Sequence, residues 1–166
     1  MRPAWRARYP EPMIAIRPAR PEEADALTAL CHRSKARWGY DADFMKAAKT
    51  DLTITADRIA RGRALIAVDV DGKPLGIATA TPLTAEGDFD LGHLFVEPDA
   101  IGSGVGAMLF AAIVASLKRE SARRLVIEAD PNAKAFYERM GAVHVGEAPS
   151  GSIPGRMLPL LEFAIS

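Results

Sequence analysis

Gly102, Gly104 and Gly106 stand at alternate positions between two apolar runs, residues 89–96 and 107–117. The first run has the make-up of a strand. The second is apolar over most of a helix's circumference, which predicts a deeply packed helix over residues 104–119. Few chains can place three glycines at such a junction without a reason. Lacking Cβ atoms, they let the backbone bend sharply and let a bulky anion reach the main-chain N–H groups. The helix N-terminus adds its partial positive charge, and its first turn carries no acidic side chain. A turn that merely packs would need neither flank. The strand before and the helix after favour a phosphate or pyrophosphate cradle.

Two familiar cradles fit poorly. No Gly-Lys-Ser/Thr follows the glycines, which removes the P-loop. Residues 102–107 do match Gly-x-Gly-x-x-Ala, the dinucleotide turn. That turn should follow its strand tightly within a parallel β-α-β unit, whereas residues 97–101 intervene here and the preceding strands read as hairpins. A dinucleotide-dependent oxidoreductase is therefore the weaker reading.

The rest of the chain bounds the problem. A length of 166 residues suits one domain. Lys plus Arg and Asp plus Glu both number 21, so the formal net charge is zero and no nucleic-acid partner is expected. Cys31 is the one cysteine, which excludes an internal disulfide. No Cys/His spacing suggests a metal, and none is expected. A lone thiol fits a cytoplasmic setting. Residues 1–12 hold Pro3, Pro10 and Pro12 and no apolar stretch, and read as a loose leader to a single domain over residues 13–166. The longest apolar run has eleven residues, against about 20 for a bilayer span. No membrane partner is expected.

Periodicity outlines the elements. Residues 13–17 read as a strand. Pro21, Glu22 and Glu23 open a helix whose buried face is read as Ala26, Leu27, Leu30 and Cys31, with Gly39 as its cap. Asp41 is the expected N-cap of a second helix, and residues 55–59 read as a short helical turn. Residues 64–70 and 74–81 flank Asp71-Gly72, a strong hairpin signal. Strands are expected at residues 89–96, 125–129 (read as buried), 143–146 and 157–165, with a helix over 132–140 for which Asn132 makes a good N-cap. The order is β-α-α-β-β-β-α-β-α-β-β. It predicts a mixed α/β (α+β) fold: a mostly antiparallel sheet of six to seven strands flanked by about four helices.

Leu94-Phe95-Val96-Glu97-Pro98 followed by Gly102-Ser103-Gly104-Val105-Gly106 resembles the acetyl-CoA motif of the GNAT superfamily of N-acetyltransferases, Q/R-x-x-G-x-G/A, with Ile101 in place of the Gln or Arg. Residues 130–142 are similar to the family's second motif, N-x-x-A-x-x-F-Y-x-x-x-G-F, with slightly different spacing and Ala142 for the usual aromatic. The resemblance implies acetyl transfer from acetyl-CoA to a primary amine of a small molecule or peptide, by direct attack in a ternary complex. It implies that the backbone of Leu94, Phe95 and Val96 holds the pantetheine arm. The amides of Ile101, Gly102, Ser103, Gly104, Val105 and Gly106 bind the pyrophosphate, with Asn132 and Phe136 near the cofactor. Tyr137 becomes the general acid. A carboxylate early on the strand before the turn becomes the base, which points to Asp90, with His93 as rival. Alternation sets Asp90 and His93 on opposite faces unless a bulge intervenes, and the family has such a bulge. By family habit a homodimer is possible.

For the acceptor, the region between the first two helices offers Trp38, Tyr40 and Phe44 as an aromatic wall. The loop at residues 149–155 offers a lid, and Arg156 a carboxylate or phosphate clamp. The alternative to an enzyme is a non-catalytic acyl-CoA sensor on the same fold, kept open by Ile101 and opposed by Tyr137.

Overall fold

The computed structural model describes residues 14–166, so the proposed leader and Met13 lie outside the described residues. Seven strands form one sheet in the order β1-β2-β3-β4-β5-β7-β6. They are β1 (Ala15–Pro18), β2 (Ala64–Val68), β3 (Pro74–Pro82), β4 (Asp88–Val96), β5 (Arg124–Glu128), β6 (Val143–Pro149) and β7 (Met157–Ala164). Every pairing is antiparallel except β4 with β5. The parallel β-α-β frame of a dinucleotide fold is therefore absent from the strands that precede the glycine turn.

Six helices cover the sheet: α1 (Ala24–Ala36), α2 (Ala42–Ala47), α3 (Lys49–Leu52), α4 (Ala56–Ala60), α5 (Val105–Arg119) and α6 (Lys134–Arg139). Sequence periodicity missed α3, a single turn too short to show a period. On α1 the buried face is Ala24, Leu27, Leu30, Cys31 and Ser34; Ala26 is exposed, a correction to the expected stripe. Gly39, at φ +83, donates its N–H to the Ala36 carbonyl and stops that helix. Asp41 caps α2 as expected, accepting from the Phe44 N–H at 2.8 Å. Asn132 does not cap its helix. Asp130 instead caps the 3-10 turn Pro131–Ala133 that leads into α6, its carboxylate accepting the Asn132 N–H at 2.8 Å, because Pro131 takes the first position of that turn.

Both faces of the sheet centre are buried. Ile66, Val68 and Ile77 point to a core with Leu27, Leu30, Leu52 and Ile59 from α1, α3 and α4. Ala67, Ala78 and Ala80 point the other way, to Leu109, Ile113 and Leu117 of α5. Each of these last three is wholly buried and contributes about 1.5–3 kcal/mol. The small side chains of β3 let α5 come close. A Cβ on Gly76 would lie 2.7 Å from Leu109 Cδ1 and 2.9 Å from the Phe95 carbonyl.

Strand β4 changes parity midway. Its pairing with β3 shifts between Thr79 and Ala80, so that His93 faces Thr79 while Leu91 faces Ala80, leaving Gly92 as an extra residue. Before this bulge Phe89 and Leu91 face α5; after it Leu94 and Val96 do. Asp90 and His93 consequently share the opposite face. A Cβ on Gly92 would meet Thr79 Oγ1 at 3.0 Å, which explains the glycine at the bulge.

Candidate active site

The sheet opens at β4. Strands β4 and β5 pair only over Asp88–Asp90 and Arg124–Val126. Arg124 ties the closed end, reaching Asp88 on β4 and Glu162 on β7. Beyond Asp90 the strands part, and a cavity of about 1100 Å³ fills the gap. Along the open stretch the Glu97 N–H donates to the Leu75 carbonyl at 2.8 Å, toward β3. Main-chain groups alternate in an antiparallel pair, so those of Val96 and Leu94 face the cleft and those of Phe95 face β3. Two of the three residues expected to present their backbone do so.

The glycine turn closes one end of this cavity. Gly102 and Gly104 have φ of +85° and +89°, conformations unfavourable for other residues. Gly106 lies in the first turn of α5, and a Cβ there would sit 3.3 Å from the Phe136 ring. The first-turn N–H groups of Val105, Gly106 and Ala107 have no partner within the helix. The Ile101 and Ser103 N–H groups instead close local turns on Pro98 and Ala100, so the expected set of six amides narrows. Ser103 turns its hydroxyl to the Ala100 carbonyl, and the Val105 side chain is in the core. Neither lines the cavity, whereas Ile101, Gly102, Gly104 and Gly106 do.

Glu97 places a carboxylate beside the glycine turn, where an anion would be repelled. It is 7% exposed, and Arg33 of α1 grips it through Nε at 2.7 Å and Nη2 at 2.8 Å. This pair holds its carboxyl below the usual range. Nothing in the local sequence marks Arg33 and Glu97 as partners, being 64 positions apart.

Tyr137, on α6, lines the cavity and is almost wholly buried, with its ring 6.2 Å from that of Phe110 and 5.2 Å from that of Phe136. Burial first, and the Asp130 charge second, push its phenol above its ordinary value, so it keeps its proton at neutral pH. Its hydroxyl makes no hydrogen bond among the described residues.

Asp90 and His93 both line the cavity, and their surroundings differ. His93 Nε2 lies 3.0 Å from the Asp51 carbonyl oxygen, which can only accept, so this nitrogen carries the proton. Nδ1 then accepts from Thr79 Oγ1 at 2.7 Å. Burial pushes the imidazole below its ordinary value. His93 is thus neutral with both nitrogens engaged, and it fastens α3 to the bulge. Asp90 makes no side-chain hydrogen bond among the described residues. Burial, then the neighbouring Glu128 carboxylate, push its acid up. Glu128, at the end of β5, also faces the cavity and escaped the sequence reading, which took its strand as simply buried.

The region that the sequence offered for an acceptor is more organised than the sequence suggested. Tyr40 and Phe44 stack with centroids 3.9 Å apart and planes 9° apart. The Arg156 guanidinium sits over both rings, at 5.1 and 4.8 Å. It donates to the Tyr40 hydroxyl at 2.7 Å, which donates to Asp130 at 2.8 Å. Lys35 Nζ reaches the same carboxylate at 2.6 Å, and Asn132 Nδ2 the Tyr40 hydroxyl at 3.3 Å. Burial works against the Asp130 charge, but Lys35, the Asn132 N–H and Tyr40 outweigh it and hold its carboxyl low. Phe44 and Arg156 line the cavity and Tyr40 backs them. Trp38 stands apart from this stack, on the cavity wall with the Arg37 guanidinium 4.5 Å over its ring.

Comparisons agree with this architecture. The family model described as "Acetyltransferase (GNAT) domain" matches residues 33–150. A GCN5-related N-acetyltransferase from Rhodopseudomonas palustris is 26% identical, with a TM-score of 0.73 over 92% of this chain and 96% of that one. The PaiA N-acetyltransferase from Thermoplasma acidophilum, solved with coenzyme A, is 16% identical, with a TM-score of 0.73 over 91% of this chain and 98% of that one. N-acetylglutamate synthase from Neisseria gonorrhoeae, complexed with coenzyme A and N-acetylglutamate, is 19% identical, with a TM-score of 0.66 over 94% of this chain and 36% of that one. Curated protein sequences give no match. With seven strands in one open, mostly antiparallel sheet and a matching domain model over most of its length, the chain belongs to the GNAT acetyltransferase family.

Proposed function

We propose that the protein is an N-acetyltransferase, a single domain over residues 13–166, that moves an acetyl group from acetyl-CoA to a primary amine by direct attack in a ternary complex. The observation that carries this is the cleft itself. Strands β4 and β5 part after Asp90, and the unpaired main chain of Leu94 and Val96 runs from the Asp90 end of the opening to the glycine turn. Two of the related structures hold coenzyme A, which supports an acyl-CoA donor.

Acetyl-CoA supplies the acyl group as a thioester. The free edge of Leu94 and Val96 suits an extended pantetheine arm, much as an added strand pairs with a sheet edge. The Val96 N–H then donates to the thioester carbonyl oxygen as negative charge grows there. The open N–H groups at Gly104–Ala107 and the α5 dipole take the pyrophosphate. Arg33 neutralises Glu97 beside them. Asp90, made a stronger base by burial and the neighbouring Glu128, accepts the proton that the amine loses, directly or through water. Tyr137 donates its phenolic proton to the departing thiolate. His93 orients the bulge without exchanging a proton.

The test is calorimetric titration with acetyl-CoA, with NADH as control, followed by thiol release with a panel of amines. Micromolar acetyl-CoA binding and amine-dependent thiol release are expected. Binding without thiol release from any amine would favour a non-catalytic acyl-CoA sensor. A response to NADH alone would overturn the reading.

A further inference from the structure

The wall of the cavity away from the glycine turn holds an unbalanced charge. Lys35 and Arg156 both lie against a single carboxylate, Asp130, at 2.6 and 3.6 Å. The three side chains are only 13%, 19% and 10% exposed. Among the described residues no other carboxylate comes within ion-pair distance of either cation. The group therefore carries one surplus positive charge in a poorly solvated place, which is costly unless something completes it.

The donors that remain point to what completes it. Arg156 uses Nη2 on the Tyr40 hydroxyl, and its Nε and Nη1 make no hydrogen bond among the described residues. Its position is fixed on both sides. The guanidinium rests on the stacked Tyr40 and Phe44 rings. Its backbone closes the 150–156 loop through Ser150 N–H to the Arg156 carbonyl at 2.8 Å and Arg156 N–H to Ile153 at 3.2 Å. A guanidinium held by its flank with an edge still free is suited to a planar, two-oxygen partner. The same cavity carries the opposite sign at the strand opening, where Asp90 and Glu128 stand together.

We propose that the acceptor amine also bears a carboxylate, received by Arg156 and Lys35 while its amino group lies toward Asp90 and Glu128. This rests on the acetyl-transfer reading and narrows it to zwitterionic acceptors such as amino acids or short peptides. One surplus charge matches a monoanion; a phosphate monoester dianion would leave an excess of negative charge.

The test uses the CoA-loaded protein and calorimetry with a panel of N-acetylated amino acids, the same compounds as C-terminal amides, and N-acetylphosphoethanolamine. At least one carboxylate is expected to bind tenfold or more tightly than its amide. Arg156→Gln should abolish that preference and Arg156→Lys restore part of it, with CoA affinity as the control for folding. Equal binding of acids and amides, or binding of neither, overturns the proposal on the wild-type protein alone. Tighter binding of the phosphate compound overturns it in favour of a phosphorylated amine. Thiol release from acetyl-CoA is scored separately. Turnover of amines without carboxylate preference sinks only this inference, whereas carboxylate preference without turnover sinks only the transfer reading.

Discussion

Arg33 on α1 and Glu97 at the end of β4 form a two-pronged ion pair, Nε to Oε1 at 2.7 Å and Nη2 to Oε2 at 2.8 Å. The pair joins the helical layer to the strand that enters the glycine turn, and it neutralises a negative charge beside that turn.

Arg33→Ala leaves the Glu97 carboxylate buried and unpaired. It should cost about 1–3 kcal/mol of stability and weaken CoA affinity, read by denaturant melts and calorimetry. The pH sign follows from the lowered Glu97 value. Its contribution is fully present above the unfolded carboxylate value of about 4.3 and is lost as pH falls through the lower folded value. In Arg33→Ala the Glu97 value is no longer depressed, so the loss of stability on acidification should become shallower; an unchanged acid slope would show that the pair does not set it.

Tyr137→Phe removes one oxygen from a packed ring and little else. If the phenol protonates the thiolate, turnover should fall about 10²–10⁴-fold with CoA affinity nearly unchanged. An equal loss in both would point to packing alone.

Asp90 sits above the ordinary carboxylate range. As the base it must be ionised, so kcat/KM should rise with pH through that elevated value and level off above it. Asp90→Asn should abolish most activity together with this limb. His93→Gln should lower stability and leave the position of the limb unchanged, because neutral His93 exchanges no proton. A limb that follows the His93 variant instead would reverse the assignment.

Gly104 lies at φ +89 with open space around its Cβ position, so Gly104→Ala should cost about 1–2 kcal/mol by backbone strain alone. Gly106→Val acts differently, because its Cβ would already be 3.3 Å from Phe136. It should crowd the α5 entrance and weaken CoA binding tenfold or more. Unchanged calorimetric affinity in Gly106→Val would place the pyrophosphate elsewhere.

Cys31 is fully buried on α1, and burial pushes its thiol up to about 12. A thiol reagent at pH 8 should label it slowly in the folded protein and rapidly after denaturation. Fast labelling of the native form would mean that α1 opens readily.

Local chemistry was legible where it is written in adjacent residues. The glycine turn, the Asp41 cap, the Asp71-Gly72 turn and the apolar stripe of α5 each depend on neighbours within a few positions. Where two local signals competed, reading failed: Asn132 looked like a cap, but Pro131 made Asp130 the cap. Ala26 matched a helical stripe as well as Ala24 does, and only the sheet beneath α1 chooses between them.

The sequence by itself determined the order of the strands and the long helices, the strand–turn–helix junction and its resemblance to an acetyl-CoA motif, because these rest on backbone preference and short-range spacing. Tertiary structure alone decided which charges meet. Gly92 turns Asp90 and His93 to one face, and distant segments bring Glu97 to Arg33, and Asp130 to Lys35 and Arg156. Proton affinity and ligand charge depend on distances of a few ångströms across the fold, and no local pattern along the chain encodes them.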